Sequence, residues 1–185
     1  YRRQRQMCIR DRGPILFTNH IPLGIVTAIN GVTRGEIHIS GKAGHAGTLP
    51  MSMRHDAVAA AAEIILLFEA RAKKTNHLVA TNGVVMVKNP AVNVVSGDVR
   101  LSFDIRSPHD HDRLQALSEI KDEISIISKR RGVTASIKIG HEASAAPCDE
   151  ILREALRNSA SSIGVKTLNL SSGAGHDAMS FHGII

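Results

Sequence analysis

Apolar and polar residues alternate most strictly over 98–106. Val99, Leu101, Phe103 and Ile105 fall on one side, and Arg100, Ser102, Asp104 and Arg106 on the other. A two-residue period predicts a half-buried strand. The same alternation recurs over 33–40, where Ile37 and Ile39 oppose Glu36, His38 and Ser40, and over 133–139. Residues 23–29 and 78–87 are short, apolar and rich in β-branched side chains, and predict two more strands. Gly83 marks a bulge in the second, and Asn30-Gly31 a turn after the first. The period then lengthens. Ala57, Ala60, Ala61, Ile64, Ile65 and Phe68 form the stripe of a core-facing helix, with Glu63, Glu69, Arg71, Lys73 and Lys74 mostly off it. Leu114, Leu117, Ile120, Ile124 and Ile127 form a second stripe. Ser107 is expected to cap that helix, with Pro108 in its first turn and Arg130-Arg131-Gly132 closing it.

From Thr33 to Ile139 the order is therefore β-α-β-β-α-β. The expected fold class is α/β of the α+β kind: a ferredoxin-like split arrangement with two helices on one face of a four-stranded antiparallel sheet. The other face is left to a partner or to solvent. Beyond Gly140 the pattern changes. Ser144–Pro147 reads as a linker, and Asp149 caps a third helix with Leu152, Ala155, Leu156 and Ile163 expected inward, ended by Gly164. A strand over 165–170 runs into Ser171-Ser-Gly-Ala-Gly-His-Asp177. The expected organisation is a leader over 1–12, the end of a first α/β segment over 13–22, the ferredoxin-like domain over 23–140, and a truncated second α/β segment over 141–185.

Composition narrows the function. The net charge is +6, but residues 1–12 hold five arginines and one aspartate, leaving 18 basic and 16 acidic residues elsewhere. That leader has no apolar core for a signal peptide and resembles a translated adaptor, so it is set outside the fold. A basic arm for nucleic acid is the other reading, disfavoured by one Tyr, four Phe and no Trp. No run approaches the roughly 18 apolar residues of a membrane helix. Two cysteines, Cys8 and Cys148, build no disulfide framework and point to a reducing, cytoplasmic compartment.

Three polar features carry candidate chemistry. His45 sits in Gly41-Lys-Ala-Gly-His-Ala-Gly-Thr-Leu-Pro50, a small-residue loop between a strand and a helix, where functional side chains concentrate. The bland alternative is a turn that happens to hold an imidazole. Asn93 precedes the strand ending at Arg106, and an antiparallel sheet is expected to bring the two toward a common end. An amide with a guanidinium suits a carboxylate or a urea-like group. Their bland alternatives are a turn residue and a surface ion pair with Asp104 or Asp110. The third feature is the loop with Gly175 and His176, small residues after a strand in the manner of a ligand loop. It matches neither a nucleophile elbow nor a P-loop, and His176 beside Asp177 equally suits a structural pair.

Taken together, Gly44-His-Ala-Gly-Thr-Leu-Pro-Met51 with Arg54-His-Asp-Ala57, Ala91-Val-Asn-Val-Val-Ser-Gly97 leading to Asp104-Ile-Arg106, and Ser172-Gly-Ala-Gly-His-Asp-Ala178 resemble the allantoate amidohydrolases and N-carbamoyl-L-amino-acid hydrolases. Those enzymes lie within the wider zinc aminoacylase and carboxypeptidase superfamily. The resemblance implies a catalytic domain with two divalent metal ions, zinc or manganese, and an inserted domain that forms a homodimer. It implies that His45 reaches the partner's active site and stabilises a developing oxyanion. Asn93 and Arg106 would bind the carboxylate side of a ureido or carbamoyl substrate, and Gly175 and His176 would line the pocket. Gly31–Glu36 and the Ala-rich Arg54–Glu63 segment lean toward allantoate. The family's metal ligands and catalytic glutamate have no counterpart here. Gly13-Pro14 survives from one ligand stretch, but Ile9 stands where its histidine is expected. The chain is thus expected to be a fragment, inert by itself. The reading from another class is a stand-alone dimerisation module without chemistry.

Overall fold

The computed structural model describes residues 14–182. The leader over 1–12, Cys8, Ile9 and Gly13 lie outside the described residues. The elements run in the order α1 (Ile15–Thr18), β1 (Leu23–Ile29), β2 (Gly31–Ser40), β3 (Gly44–His45), a 3-10 turn (Met51–Met53), α2 (Ala57–Lys73), β4 (Val79–Thr81), β5 (Val85–Val87), β6 (Val94–Val95) and β7 (Asp98–Ser107). They continue with α3 (Asp110–Arg131), β8 (Thr134–Ala143), β9 (Ala146–Pro147), α4 (Glu150–Ser162), β10 (Thr167–Ser172) and a second 3-10 turn (Asp177–Phe181). The chain divides into two compact units, one of residues 32–106 and 111–143, the other of 14–31, 107–110 and 144–182.

The first unit is the α/β core. Its sheet has the strand order β4-β7-β2-β8, with β5 also pairing β7. The alternation along β7 is realised in full: Val99, Leu101, Phe103 and Ile105 are buried with Ile37 and Ile39 of β2. Against them pack Ala57, Ala60, Ala61, Ile64 and Phe68 of α2 and Ala116, Leu117, Ile120, Ile124 and Ile127 of α3. Both helices therefore cover one face, and the other carries the polar row. Burying these side chains is the main term that orders the unit, at roughly 1.5–3 kcal/mol for each large apolar one. Asp56 caps α2, its Oδ1 accepting from the Val58 and Ala59 amides at 2.9 and 3.2 Å. Gly132 closes α3 at φ +65°, a left-handed turn that suits glycine at a helix end.

Several local expectations are corrected. The strand over 78–87 is two short strands, Val79–Thr81 and Val85–Val87. Between them Asn82 donates to the Ser102 carbonyl and the Ser102 hydroxyl accepts from the Val84 amide, beside one backbone bond from the Ser102 amide to the Val84 carbonyl. Ser107 does not cap α3. It is the buried last residue of β7, its hydroxyl accepting from the His109 amide, and α3 starts at Asp110. Leu114 is 46% exposed, while Arg113 is the inward residue at 2%, bonded to Thr33 and Glu142. Arg71, expected off the stripe, is buried and tied to Glu119 of α3.

The second unit holds a three-stranded sheet in the order β10-β1-β9. Asn30-Gly31 is not a hairpin turn. Strand β1 pairs in parallel with β10 and antiparallel with β9, while β2 pairs with β8, so the dipeptide passes the chain from one sheet to another. Helix α4 is capped by Asp149, whose Oδ1 accepts from the Leu152 amide at 2.9 Å. Its expected inward stripe is not inward: Leu152 is 66% exposed, Leu156 and Ile163 are exposed as well, and only Ala160 is buried. The small sheet of this unit leaves that stripe uncovered.

Candidate active site

The His45 segment is more ordered than a free loop. Gly44 and His45 form β3, which pairs antiparallel with β6, His45 opposite Val94. The Ala46 amide donates to the Asn93 carbonyl at 2.8 Å, so His45 and Asn93 are neighbours across a two-residue ladder. Both are exposed. The base of the segment is anchored to the core: the Gly41 amide donates to the Gly97 carbonyl at 2.8 Å, and the Lys42 amide to the His55 carbonyl at 2.9 Å. A Cβ on Gly41 would stand 2.0 Å from the His55 carbonyl oxygen, so only glycine lets these backbones approach. The Ala57 amide donates to the Ser96 carbonyl, joining the first turn of α2 to the same corner.

The expectation that Arg106 converges on Asn93 is overturned. Asp98 opens β7 on the side of the Gly97–Gly41 contact, and Arg106 lies near its far end, opposite Val79 of β4. Eight residues of extended chain span about 26 Å. A strand continuous from Asp98 to Ser107 cannot bring its two ends together. Arg106 instead grips Asp104 in a two-pronged contact, Nε to Oδ1 at 2.7 Å and Nη2 to Oδ2 at 2.8 Å, and Arg34 Nε donates to the same carboxylate at 2.7 Å. The ion pair with Asp104 that competed with a ligand role is therefore present. Gly175 and His176 are exposed in the other unit, on the loop after β10, where the His176 carbonyl accepts from the Met179 amide and opens the second 3-10 turn.

Charge on the open sheet face follows these contacts. Burial raises the Asp104 pKa, but hydrogen bonds from Arg106 and Arg34, with their charges, outweigh it and hold it below its ordinary 3.8. The same contact raises Arg106. Asp98 is also held low, chiefly by the His38 Nε2 contact at 2.9 Å. Because the folded pKa of Asp104 is depressed, its stabilisation is present above 3.8 and is lost as pH falls through the lower folded value. Asp104→Asn should therefore lower stability by about 1 kcal/mol at neutral pH, a value kept small by partial exposure. The gap to wild type should close progressively below pH 3.8, as read by thermal melts across pH.

One contact was not expected from sequence. Arg54, in the Arg54-His-Asp-Ala57 stretch, donates to the carbonyls of Leu49 and Ala46 at 3.1 and 2.6 Å. Its place shortly after the His45 run was the available signal. Among the described residues no three or more His, Cys, Asp or Glu side chains gather to hold a metal ion, and no helix is long and apolar enough to cross a membrane.

Residues 27–131 match the peptidase dimerisation domain. The chain belongs to that family. This dimerisation-domain chain is 35% identical over 196 residues to allantoate deiminase 1 of Glycine max, covering 91% of itself and 41% of that protein. It is 33% identical over 171 residues to an N-carbamoyl-L-amino-acid amidohydrolase of Pseudomonas sp., with the same coverage. A hydantoinase/carbamoylase family amidase from Burkholderia multivorans superposes with a TM-score of 0.89 at 28% identity, over 93% of this chain and 42% of that one. The chain thus spans about two fifths of the curated relatives it matches.

Proposed function

We propose that the full-length protein is a homodimeric hydrolase of linear C–N bonds in ureido or carbamoyl acids, with allantoate the first substrate to test. The supporting observation is the exposed His45–Asn93 pair, held on a short ladder apart from Arg106. The activities for which the Glycine max and Pseudomonas relatives are named point to the same chemistry, and the second of them keeps N-carbamoyl-L-amino acids as the alternative substrate. In the hydrolysis, water adds to the carbonyl carbon and its oxygen gains negative charge. The His45 imidazole donates a hydrogen bond to that oxygen, a contact that strengthens as the charge develops. Asn93 donates its amide to the carboxylate end of the substrate. An incoming carboxylate at Arg106 would meet a guanidinium already oriented by Asp104. The described residues do not fit a metal site, so any metal the reaction needs is held by other residues. Gly175 and His176 are assigned to the pocket lining.

The His45 segment is anchored at Gly97, beside the start of β7, and Arg106 lies near the far end of that strand, so a single site that uses both is expected to take them from two protomers. Mixing a His45→Ala protomer with an Arg106→Ala protomer tests this. Each homodimer should be nearly inactive. Random reassortment makes half of the dimers mixed, each with one intact site of two, so about one quarter of wild-type turnover should return. No recovery on mixing would place both residues in one protomer's site or outside any site.

A further inference from the structure

Among the described residues, the His45 ring is held on one side only. The Gly47 amide donates to Nδ1 at 3.1 Å, so Nδ1 is the acceptor, and in the neutral imidazole the proton then sits on Nε2. The ring accordingly presents a hydrogen-bond donor outward, the form a developing oxyanion requires. That amide is positioned by the turn over 45–49, in which the His45 carbonyl accepts from the amides of Thr48 and Leu49 at 3.3 and 3.0 Å. A turn with glycine at its centre has little stiffness of its own. Arg54 supplies it: Nε donates to the Leu49 carbonyl and Nη2 to the Ala46 carbonyl, the two carbonyls that flank Gly47-Thr48. Arg54 is itself half-buried, set between the Met51–Met53 turn and the Lys42–His55 bridge that fixes the segment to the core. Two donors at the fixed angle of a planar guanidinium match two carbonyls, whereas a lysine ammonium on its flexible stem has no such fork.

We propose that Arg54 is a positioning residue for His45: by bridging the Ala46 and Leu49 carbonyls it holds the Gly47 amide on Nδ1 and so keeps Nε2–H presented to the substrate oxygen. The inference rests on the catalytic reading of His45 given above, and its test separates the two. In the full-length protein, Arg54→Ala should lower kcat about tenfold or more with little change in KM, because the interaction it supports grows in the transition state. Arg54→Lys, which keeps the charge, should recover only part of that loss. In a His45→Ala background, Arg54→Ala should change kcat by less than about twofold, since a residue acting through another has nothing left to act on. Independently of turnover, nitrogen NMR of the imidazoles and hydrogen exchange at the Gly47 amide should show the Nδ1 contact in wild type and its loss in both Arg54 variants. Equal losses of kcat in both backgrounds would overturn the proposal, as would an unchanged Nδ1 resonance and Gly47 protection. If His45→Ala leaves turnover intact, the catalytic reading fails, and with it the claim about the substrate oxygen. The spectra then decide the clamp alone.

Discussion

Replacing His45 with alanine in the full-length protein should cut turnover by about two to three orders of magnitude, the usual effect of removing one donor from an oxyanion site. The loss should be confined to chemistry. His45 is exposed, it lies outside the apolar core, and the hydrogen bonds that build its ladder with β6 come from backbone, which alanine retains. The sedimentation coefficient and the melting temperature should therefore match wild type within error. Arg54→Ala, by contrast, leaves two carbonyls without their donor and should soften the same segment at a smaller kinetic cost. Steady-state kinetics on allantoate and on an N-carbamoyl amino acid give the measurement. Turnover within about threefold of wild type on both would remove His45 from the reaction, because losing one donor in such sites typically costs about 10²–10³ in kcat.

The sequence was most legible where one face of an element meets the core. Strand β7 alternates because Val99, Leu101, Phe103 and Ile105 all bury, and helix α2 follows its stripe from Ala57 to Phe68. It misled where a charged side chain takes an inward position. Arg113 is buried because Thr33 and Glu142 satisfy it, so the neighbouring Leu114 turns outward, and no hydropathy pattern contains that exchange. The stripe of α4 had the right period but the wrong consequence, since periodicity says that a face is apolar and not that anything covers it. At the site, His45, Asn93 and Arg106 were each legible as residue types. Their grouping was not. A two-residue ladder such as β3 with β6 leaves no periodic trace, and the opposite placement of Arg106 follows from the uninterrupted length of β7.

Phe68→Ala should destabilise the first unit by about 3–5 kcal/mol, the range for removing a buried aromatic ring. Phe68 is 1% exposed and packs against Phe103, with ring centroids 5.5 Å apart at 40°. The pair joins α2 to β7 within the buried cluster that also holds Ile64, Leu78 and Ile105. Alanine would lose both the transfer term and the edge-tilted ring contact, and elements fixed on both sides restrict collapse into the space left. Leu66→Ala, two residues earlier on the outer face at 63% exposure, should cost less than about 0.5 kcal/mol and serves as the control. Because α2 begins at the corner shared with Gly41 and Ser96, the Phe68 variant should also loosen the base of the His45 ladder. Hydrogen exchange in the full-length protein, resolved over residues 57–73 and 98–107, reads the local free energy without assuming a single unfolding step. A drop below about 1 kcal/mol there would mean that α2 and β7 do not pack through these rings, since no partial relaxation of a close-packed core recovers that much.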